Sequence, residues 1–180
     1  MSELTIYARP DDPAPQVFTD FESIRDHLDA IGVGFERWEA SKPLAADAGQ
    51  EEVLEAYKED VARLTQQYGF QSVDVVALTP DNPKKGELRQ MFLSEHTHDD
   101  FEVRFFVDGS GMFYLHPGDA VYMMRCDRGD LISVPAGTRH WFDMGPEPFF
   151  KAIRLFTTPD GWQANFTGDA IADDYPRFGE

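Results

Sequence analysis

The sequence predicts a mainly β protein with flanking helices, whose core is an antiparallel sandwich or barrel. From about Met91 onward the helical spacing of apolar residues disappears. Short apolar runs replace it and cover residues 101–107, 112–116, 120–125, 131–134 and 149–157. The segments between these runs have strong turn chemistry, as in Asp108-Gly-Ser-Gly111 and Pro117-Gly-Asp119. Many short strands at regular spacing are typical of an antiparallel barrel.

Two amphipathic helices are predicted before the β-rich region. Thr19 and Glu22 have the spacing of a capping box, which marks the start of a helix. Apolar residues then recur at steps of three and four before Gly32 stops the pattern, namely Phe21, Ile24, Leu28 and Ile31. The second helix has the same periodicity and ends before Gly69, with an apolar face formed by Val53, Tyr57, Val61, Leu64 and Tyr68.

Three short β-like runs accompany these helices, at residues 5–8, 33–39 and 72–78. No internal repeat, low-complexity tract or linker divides the chain. We therefore predict a single domain over residues 1–180, with a helix-containing N-terminal decoration at residues 1–90 and a barrel core at residues 91–160. The tail after Trp162 carries no clear signal.

The charge balance excludes some classes of partner. The chain has 16 Lys and Arg against 33 Asp and Glu, a formal net charge of −17, which disfavours binding to nucleic acid or to an anionic membrane. Hydrophobic residues make up 42% of the chain, enough for a folded core. The start lacks the pattern of a secretory signal, and the single cysteine, Cys126, cannot form an internal disulfide. We expect a cytoplasmic protein, and a monomer, that acts on a small molecule.

A group of histidines and one carboxylate carries the chemistry. His96 and His98 are two residues apart, and Glu102 and Arg104 share their strand parity, so the four side chains are predicted to project from one face. His140 follows a Pro/Gly turn and is predicted to come from a neighbouring strand. Three imidazoles and one carboxylate suit a borderline divalent metal with coordination positions left for substrate.

The remaining histidines and the cysteine have simpler interpretations. His116 precedes a Pro-Gly turn, and His27 lies on the polar side of the first predicted helix, so both are predicted to be surface residues. Cys126 is predicted to pack as a small apolar residue, because thiolate ligands of structural metals usually come in clusters.

The two segments that carry these histidines resemble the two motifs of the cupin superfamily, which are small metal-binding β-barrels. Within the cupins, the chain closely resembles the bacterial branch of the acireductone dioxygenase family through EHTHDDFEVRFFVDGSG at residues 95–111, GDLISVPAGTRH at 129–140 and KAIRLF at 151–156. Two positions depart from the general cupin pattern: Gln90 replaces a usual Gly, and Met144 replaces a frequent Asn. Neither position is a ligand.

The resemblance implies an enzyme of methionine salvage. Its substrates are O2 and an acireductone, 1,2-dihydroxy-3-keto-5-methylthiopentene. With Fe(II) the family forms formate and 4-methylthio-2-oxobutanoate, and with Ni(II) it forms formate, carbon monoxide and 3-methylthiopropanoate. One Fe(II) or Ni(II) per chain is expected, and the ligand positions of the family fall on His96, His98, Glu102 and His140, the residues that spacing had selected.

Other residues receive expected roles. Arg104 has the parity of the ligands, and the matching arginine of the family favours and orients the substrate dianion. Arg154 is a second catalytic candidate, with a core ion pair as the alternative. The resemblance suggests metal incorporation for Glu95 and a conformational role for Phe101, although the residues alone indicate structural roles. Four aromatic residues are candidates to line a pocket for the methylthio tail: Phe92, Phe105, Phe142 and Trp162.

Two alternatives stay open at this point. A different cupin enzyme, such as a sugar-phosphate isomerase or another dioxygenase, can use the same four ligands, but it has no reason to carry Arg104 together with the KAIRLF segment. A non-catalytic ligand-binding cupin is the other, and it predicts no turnover with any metal.

Overall fold

The computed structural model describes all 180 residues. Its strands are β1 Glu3–Tyr7, β2 Gln16–Phe18, β3 Gly34–Arg37, β4 Ser72–Leu78, β5 His96–Thr97, β6 Glu102–Leu115, β7 Val121–Asp127, β8 Asp130–Val134, β9 His140–Asp143, β10 Phe150–Phe156 and β11 Asn165–Phe166. Its helices are α1 Phe21–Asp29, α2 Gln50–Ala56, α3 Lys58–Tyr68 and α4 Lys85–Leu93, with a 3-10 turn at Ile171–Asp174.

Strand β6 belongs to two antiparallel sheets. Its first half pairs with β8 and β10, which gives the order β3-β8-β6-β10-β4. Its second half pairs with β7 and β9, which gives the order β11-β5-β9-β6-β7-β1-β2. The mainly β architecture with flanking helices is therefore confirmed, and β1, β3 and β4 show that residues 1–90 supply strands as well as helices to the same two sheets.

The predicted break at residues 108–111 is wrong, because β6 continues through it. The pairing of β6 with β10 shifts its register between Lys151 and Ala152, a bulge that bends the long strand. Gly109 has φ +66°, and a Cβ there would lie 2.0 Å from the carbonyl oxygen of Phe149. Glycine is required here for close backbone approach within a bent strand, and not for a hairpin turn.

The apolar residues form three layers. The two sheets enclose an interior cluster that includes Phe106, Phe113 and Ile132 and is closed at one side by α1. The outer face of the β8-β6-β10 sheet is covered by α2 and α3, with Phe105 in this layer. The outer face of the other sheet packs against the C-terminal residues Ala172 and Tyr175. Most of β6 is therefore buried on both faces.

The helices differ in detail from the prediction. The first helix forms, but Asp20 rather than Thr19 caps it, by accepting a hydrogen bond from the Ser23 amide at 2.8 Å. The predicted second helix is two helices, α2 and α3, which are divided at Tyr57. Helix α4 was not predicted. None of the helices has the length and apolar character needed to cross a lipid bilayer.

Candidate metal centre

Three histidine side chains converge at one place between the sheets. His96 on β5 stands directly opposite His140 on β9 in the antiparallel register, and His98 follows the end of β5. All three are buried, and their candidate ligand atoms lie within 4.8 Å of one another. The predicted set therefore meets in space, although Glu102 lies on β6 and not, as its parity predicts, on the same strand as His96 and His98.

The hydrogen bonds of the imidazoles prepare them for a metal. The Nδ1 atom of His96 donates to the Ser94 carbonyl at 2.8 Å, and that of His140 donates to the Thr138 carbonyl at 2.8 Å. The Nδ1 atom of His98 donates to the Gln163 carbonyl at 2.9 Å. Because a carbonyl only accepts, each neutral ring carries its proton on Nδ1 and leaves Nε2 with a free lone pair.

Glu102 completes the donor set. Its Oε2 atom lies 3.1 Å from Nε2 of His98 and 3.6 Å from Nε2 of His140. Both Oε2 and the His140 Nε2 atom are buried without a hydrogen-bond partner. Buried polar atoms rarely stay unpaired, and a cation among three lone pairs and a carboxylate oxygen satisfies all of them at once. The residues therefore fit a divalent metal.

Arg104 fixes the other oxygen of this carboxylate. Its Nε and Nη2 atoms donate to Glu102 Oε1 at 3.1 and 2.7 Å. Its guanidinium carbon lies 4.8 and 4.9 Å from the ring centroids of Phe113 and Phe142. The Nη1 atom is buried and has no partner. Arg104 is therefore held rigidly, with one donor free.

The charge states agree with metal binding. Burial, together with neighbouring His140, lowers the pKa of His96 to about 3, so this imidazole is neutral at physiological pH. Burial opposes ionisation of Glu102, but the Arg104 charge and the contacts with His140 and His98 together outweigh it and hold the pKa of the Glu102 carboxyl well below its usual range. Burial lowers the pKa of Arg104, and the Glu102 charge opposes that shift.

A cavity of 390 Å³ leads to this centre. Its polar lining consists of His96, His98, Arg104 and Arg154. Its apolar lining consists of Met91, Phe92, Trp162, Ala164 and Phe166. A cavity of this size with a few convergent polar groups is typical of a small-molecule site.

Arg154 stands opposite Arg104 in the β10–β6 register and reaches the same cavity. Its Nε and Nη2 atoms donate to the two carboxylate oxygens of Asp74 at 3.0 and 2.7 Å. The ion pair that one interpretation of the sequence predicts for Arg154 is present, and the residue also lines the cavity. Its catalytic role stays a prediction.

Glu95 lies beside the candidate metal ligands without facing them. It is buried, accepts a hydrogen bond from Thr167 Oγ1 at 2.9 Å, and lies 2.8 Å from Nδ1 of His116. The prediction that His116 is a surface residue is therefore wrong. Its neighbouring Pro-Gly turn is exposed, but the side chain turns inward to the carboxylate. His27 is half-buried and stacks on Phe18 at 4.0 Å between ring centroids.

The predicted aromatic lining is partly wrong. Phe92 and Trp162 line the cavity, whereas Phe142 packs behind Arg104. Phe105 lies on the opposite face of β6, against Trp38 and Tyr57, because it has the parity opposite to that of Arg104. Its assignment to the pocket is corrected accordingly.

Phe101 lies outside the cavity lining, with its ring 5.7 Å from Tyr68 and 6.5 Å from Phe70 between centroids. Cys126 is fully buried with a free thiol, as a packing residue should be. Burial raises the pKa of that thiol well above its usual value, so it is protonated.

Sequence reasoning missed several residues of the site. Met91, Ala164 and Phe166 line the cavity, yet they lie on an unpredicted helix and in a tail for which no element is predicted. Asp100 holds the turn between His98 and Glu102 by accepting hydrogen bonds from the Phe101 and Thr158 amides at 2.8 and 2.9 Å. The one sequence signal for Asp100 is that it has the same strand parity as His98 and Glu102.

The fold and the site together define a metal-binding cupin. Comparison with known proteins makes the assignment narrower. A family model described as "ARD/ARD' family" matches residues 5–164. The acireductone dioxygenase of Aquifex aeolicus is 56% identical over 180 residues, which covers 100% of this chain and 98% of that protein. The acireductone dioxygenase of Marinobacter nauticus is 58% identical over 179 residues, which covers 99% and 96%.

A solved structure is also similar. The acireductone dioxygenase of Bacillus anthracis, with a cadmium ion in its active centre, superposes with a TM-score of 0.80 at 29% identity, covering 92% of this chain and 98% of that chain. The chain therefore belongs to the ARD/ARD' family and is an enzyme of the acireductone dioxygenase type. This assignment decides against an unrelated cupin enzyme and against a non-catalytic ligand-binding cupin.

Proposed function

We propose that this chain cleaves an acireductone with O2, using one Fe(II) or Ni(II) per chain held by His96, His98, Glu102 and His140. The observation that carries the proposal is the convergence of three unprotonated Nε2 atoms and the unpaired Glu102 Oε2 atom at the end of a cavity. Imidazole nitrogen with carboxylate oxygen suits both metals. The cadmium in the Bacillus anthracis relative supports a metal at the corresponding centre.

The substrate is expected to enter with its oxygens first. When bound, the divalent ion supplies Lewis acidity and a template that orients the reactants. Arg104 Nη1 is buried and unpaired, so it can donate to an enediolate oxygen. A fixed cation stabilises the dianion, which gives electrons to O2 more readily than the neutral enediol does.

Two further residues, Glu102 and Arg154, support this arrangement. Glu102 neutralises part of the Arg104 charge and stops its guanidinium from rotating, through two hydrogen bonds to one oxygen. Arg154 adds a second positive charge to the cavity, moderated by Asp74. We propose that Arg154 takes part in holding the substrate dianion and that Arg104 makes the direct contact.

We propose that the metal selects the products. The iron-loaded chain is expected to give formate and 4-methylthio-2-oxobutanoate, and the nickel-loaded chain formate, carbon monoxide and 3-methylthiopropanoate. Both sets account for all atoms of 1,2-dihydroxy-3-keto-5-methylthiopentene plus O2. Such a reaction belongs to methionine salvage.

A paired assay tests the proposal. Metal-stripped protein is reconstituted with Fe(II) or Ni(II), supplied with the acireductone under O2, and assayed for keto acid and carbon monoxide. Keto acid with iron and carbon monoxide with nickel are expected. Stoichiometric metal binding without turnover by either form would refute the activity.

We propose, further, that the chain acts as a cytoplasmic monomer without nucleic-acid or membrane partners. The net charge of −17 and the buried free thiol of Cys126 support this proposal. Light scattering coupled to size-exclusion chromatography measures the mass, and a dimer mass would refute the monomer.

A further inference from the structure

A short strap, residues 162–167, borders the cavity, and its alternate residues have different contacts. Trp162, Ala164 and Phe166 line the cavity. The residues between them contact the segment that carries the first two metal ligands. This alternation is that of an extended chain with one apolar face and one attached face.

Hydrogen bonds anchor the attached face. The Gln163 carbonyl accepts from Nδ1 of His98 at 2.9 Å, and the Asn165 amide group donates to Asp99 at 2.9 Å. The Thr167 amide donates to the Glu95 carbonyl at 3.1 Å. Because the anchors lie at three successive alternate positions, the apolar face of the strap has a fixed distance from the metal centre.

The cavity is polar inside and apolar at its mouth. Arg104 is 3% exposed and His98 5%, whereas Trp162 is 48% exposed and Phe166 56%. Met91 on α4 is 49% exposed and lines the same cavity. Three large apolar side chains exposed around one opening mark a binding surface rather than scattered surface residues. A ligand with a polar head and an apolar tail matches this order.

We propose that the strap determines which acireductones are accepted, by covering the apolar tail that projects from the metal centre. This inference rests on the proposed function. The polar head enters first, to His96, His98 and Arg104, and the tail then lies along the apolar face of the strap. A thioether tail suits this face, because sulfur makes favourable contacts with aromatic rings such as those of Trp162 and Phe166.

Ala164 sets the length of tail that fits. It is the small residue between Trp162 and Phe166 on the apolar face, and it is only half-exposed. A larger side chain at this position occupies space that the end of the tail would fill, while the metal ligands and Arg104 keep their contacts. The substitution is therefore expected to discriminate by tail length and to leave the head group unaffected.

The test uses the metal-loaded enzyme and a homologous series of acireductones that differ only in tail length, including the methylthio compound. Ala164→Leu is expected to lower kcat/KM for the long-tailed members by about tenfold or more and to leave the short-tailed members within about twofold. Anaerobic titration, followed by tryptophan fluorescence, is expected to show the same selective loss of affinity. Phe166→Ala opens the mouth and should shift the preference toward bulkier tails.

Ala77→Leu is the matched control, because Ala77 is an exposed strand residue on β4, away from the cavity. It should leave the length profile unchanged. If the wild type accepts the series and Ala164→Leu reduces kcat/KM equally for all members with full metal content, the strap proposal is wrong and the activity stands. If the wild-type holoenzyme turns over no member, the proposed function fails, and the role of the strap fails with it.

Discussion

Arg104 holds one oxygen of the Glu102 carboxylate and leaves the other oxygen beside His98 and His140. Two donors of Arg104 hold Oε1 at 3.1 and 2.7 Å, and Oε2 stays buried and unpaired among the histidines. The ion pair fixes the orientation of the carboxylate before any metal arrives, because a side chain held by two hydrogen bonds has little rotational freedom left to lose. The same contact leaves Nη1 of Arg104 available to a substrate oxygen.

Removing one imidazole should remove the metal. His96→Ala eliminates one nitrogen ligand, and an affinity loss of more than about 100-fold is expected, since even outer partners of ligands cost 10–100-fold. Metal content after reconstitution and dialysis measures this. His27→Ala is the control, because His27 lies on α1 and outside the candidate ligand set. This variant is expected to retain one ion per chain. Full metal content in His96→Ala would remove His96 from the ligand set.

Arg104 is expected to matter more for turnover than for metal content. Arg104→Ala should lower kcat by about 100-fold or more, because a fixed donor at a developing charge has an effect of this size. The metal should remain, since the three imidazoles are unchanged. Steady-state kinetics together with metal analysis separates the two effects. Arg25→Ala, at an exposed position on α1, should have wild-type kinetics. An Arg104→Ala enzyme with full activity contradicts the role.

The metal-free protein should lose stability in mild acid. The pKa of His96 is lowered to about 3 by burial, against 6.5 as its ordinary value. Between these values the unfolded chain binds a proton that the folded chain does not, so the free energy of unfolding falls as pH drops below about 6.5. The slope from this group approaches about 1.4 kcal/mol per pH unit.

Urea unfolding of the metal-free protein at a series of pH values tests this expectation. The His96→Gln variant lacks the titrating group and should show a shallower dependence over the same range. Equal slopes for the two proteins would show that His96 does not contribute.

The sequence predicts Thr19 as the N-cap of α1, whereas the structure shows Asp20 in this role. Asp20→Ala removes the carboxylate that accepts from the Ser23 amide and should lower the free energy of unfolding by about 1 kcal/mol. Thr19→Ala is the matched control and should be close to neutral, since Thr19 makes no cap bond. Denaturant midpoints decide between them. If Thr19→Ala lowers the free energy of unfolding more than Asp20→Ala does, the predicted capping box is correct instead.

The bend in β6 depends on Gly109. Gly109→Ala forces a Cβ to 2.0 Å from the Phe149 carbonyl oxygen and requires a left-handed backbone, so a loss of about 3 kcal/mol or more is expected. Gly118→Ala is the control, because a Cβ there meets nothing within 4 Å. Thermal and denaturant unfolding of both variants measures the difference. A stable Gly109→Ala protein would mean that the strand tolerates a different path.

Local spacing determined much of this protein. The periodicity of α1 and α3, the apolar runs that became strands, and the His96, His98, Glu102 and His140 set could all be derived from the sequence, because these depend on intervals of two to four residues and on donor chemistry. The same parity rule, applied to Phe105, places this residue on the outer face of β6 and not in the pocket, because its strand parity is opposite to that of Arg104.

Only the tertiary structure decided the rest. His116 is buried because Glu95, distant in sequence, faces it, and β6 is continuous because the chain at Phe149 packs against Gly109. The strap at residues 162–167 alternates apolar and polar residues, but that pattern does not say which segment the strap joins; its position is set by bonds to His98, Asp99 and Glu95. Such features depend on contacts between segments far apart in the chain, and a local pattern carries no information about which distant segment will be its neighbour.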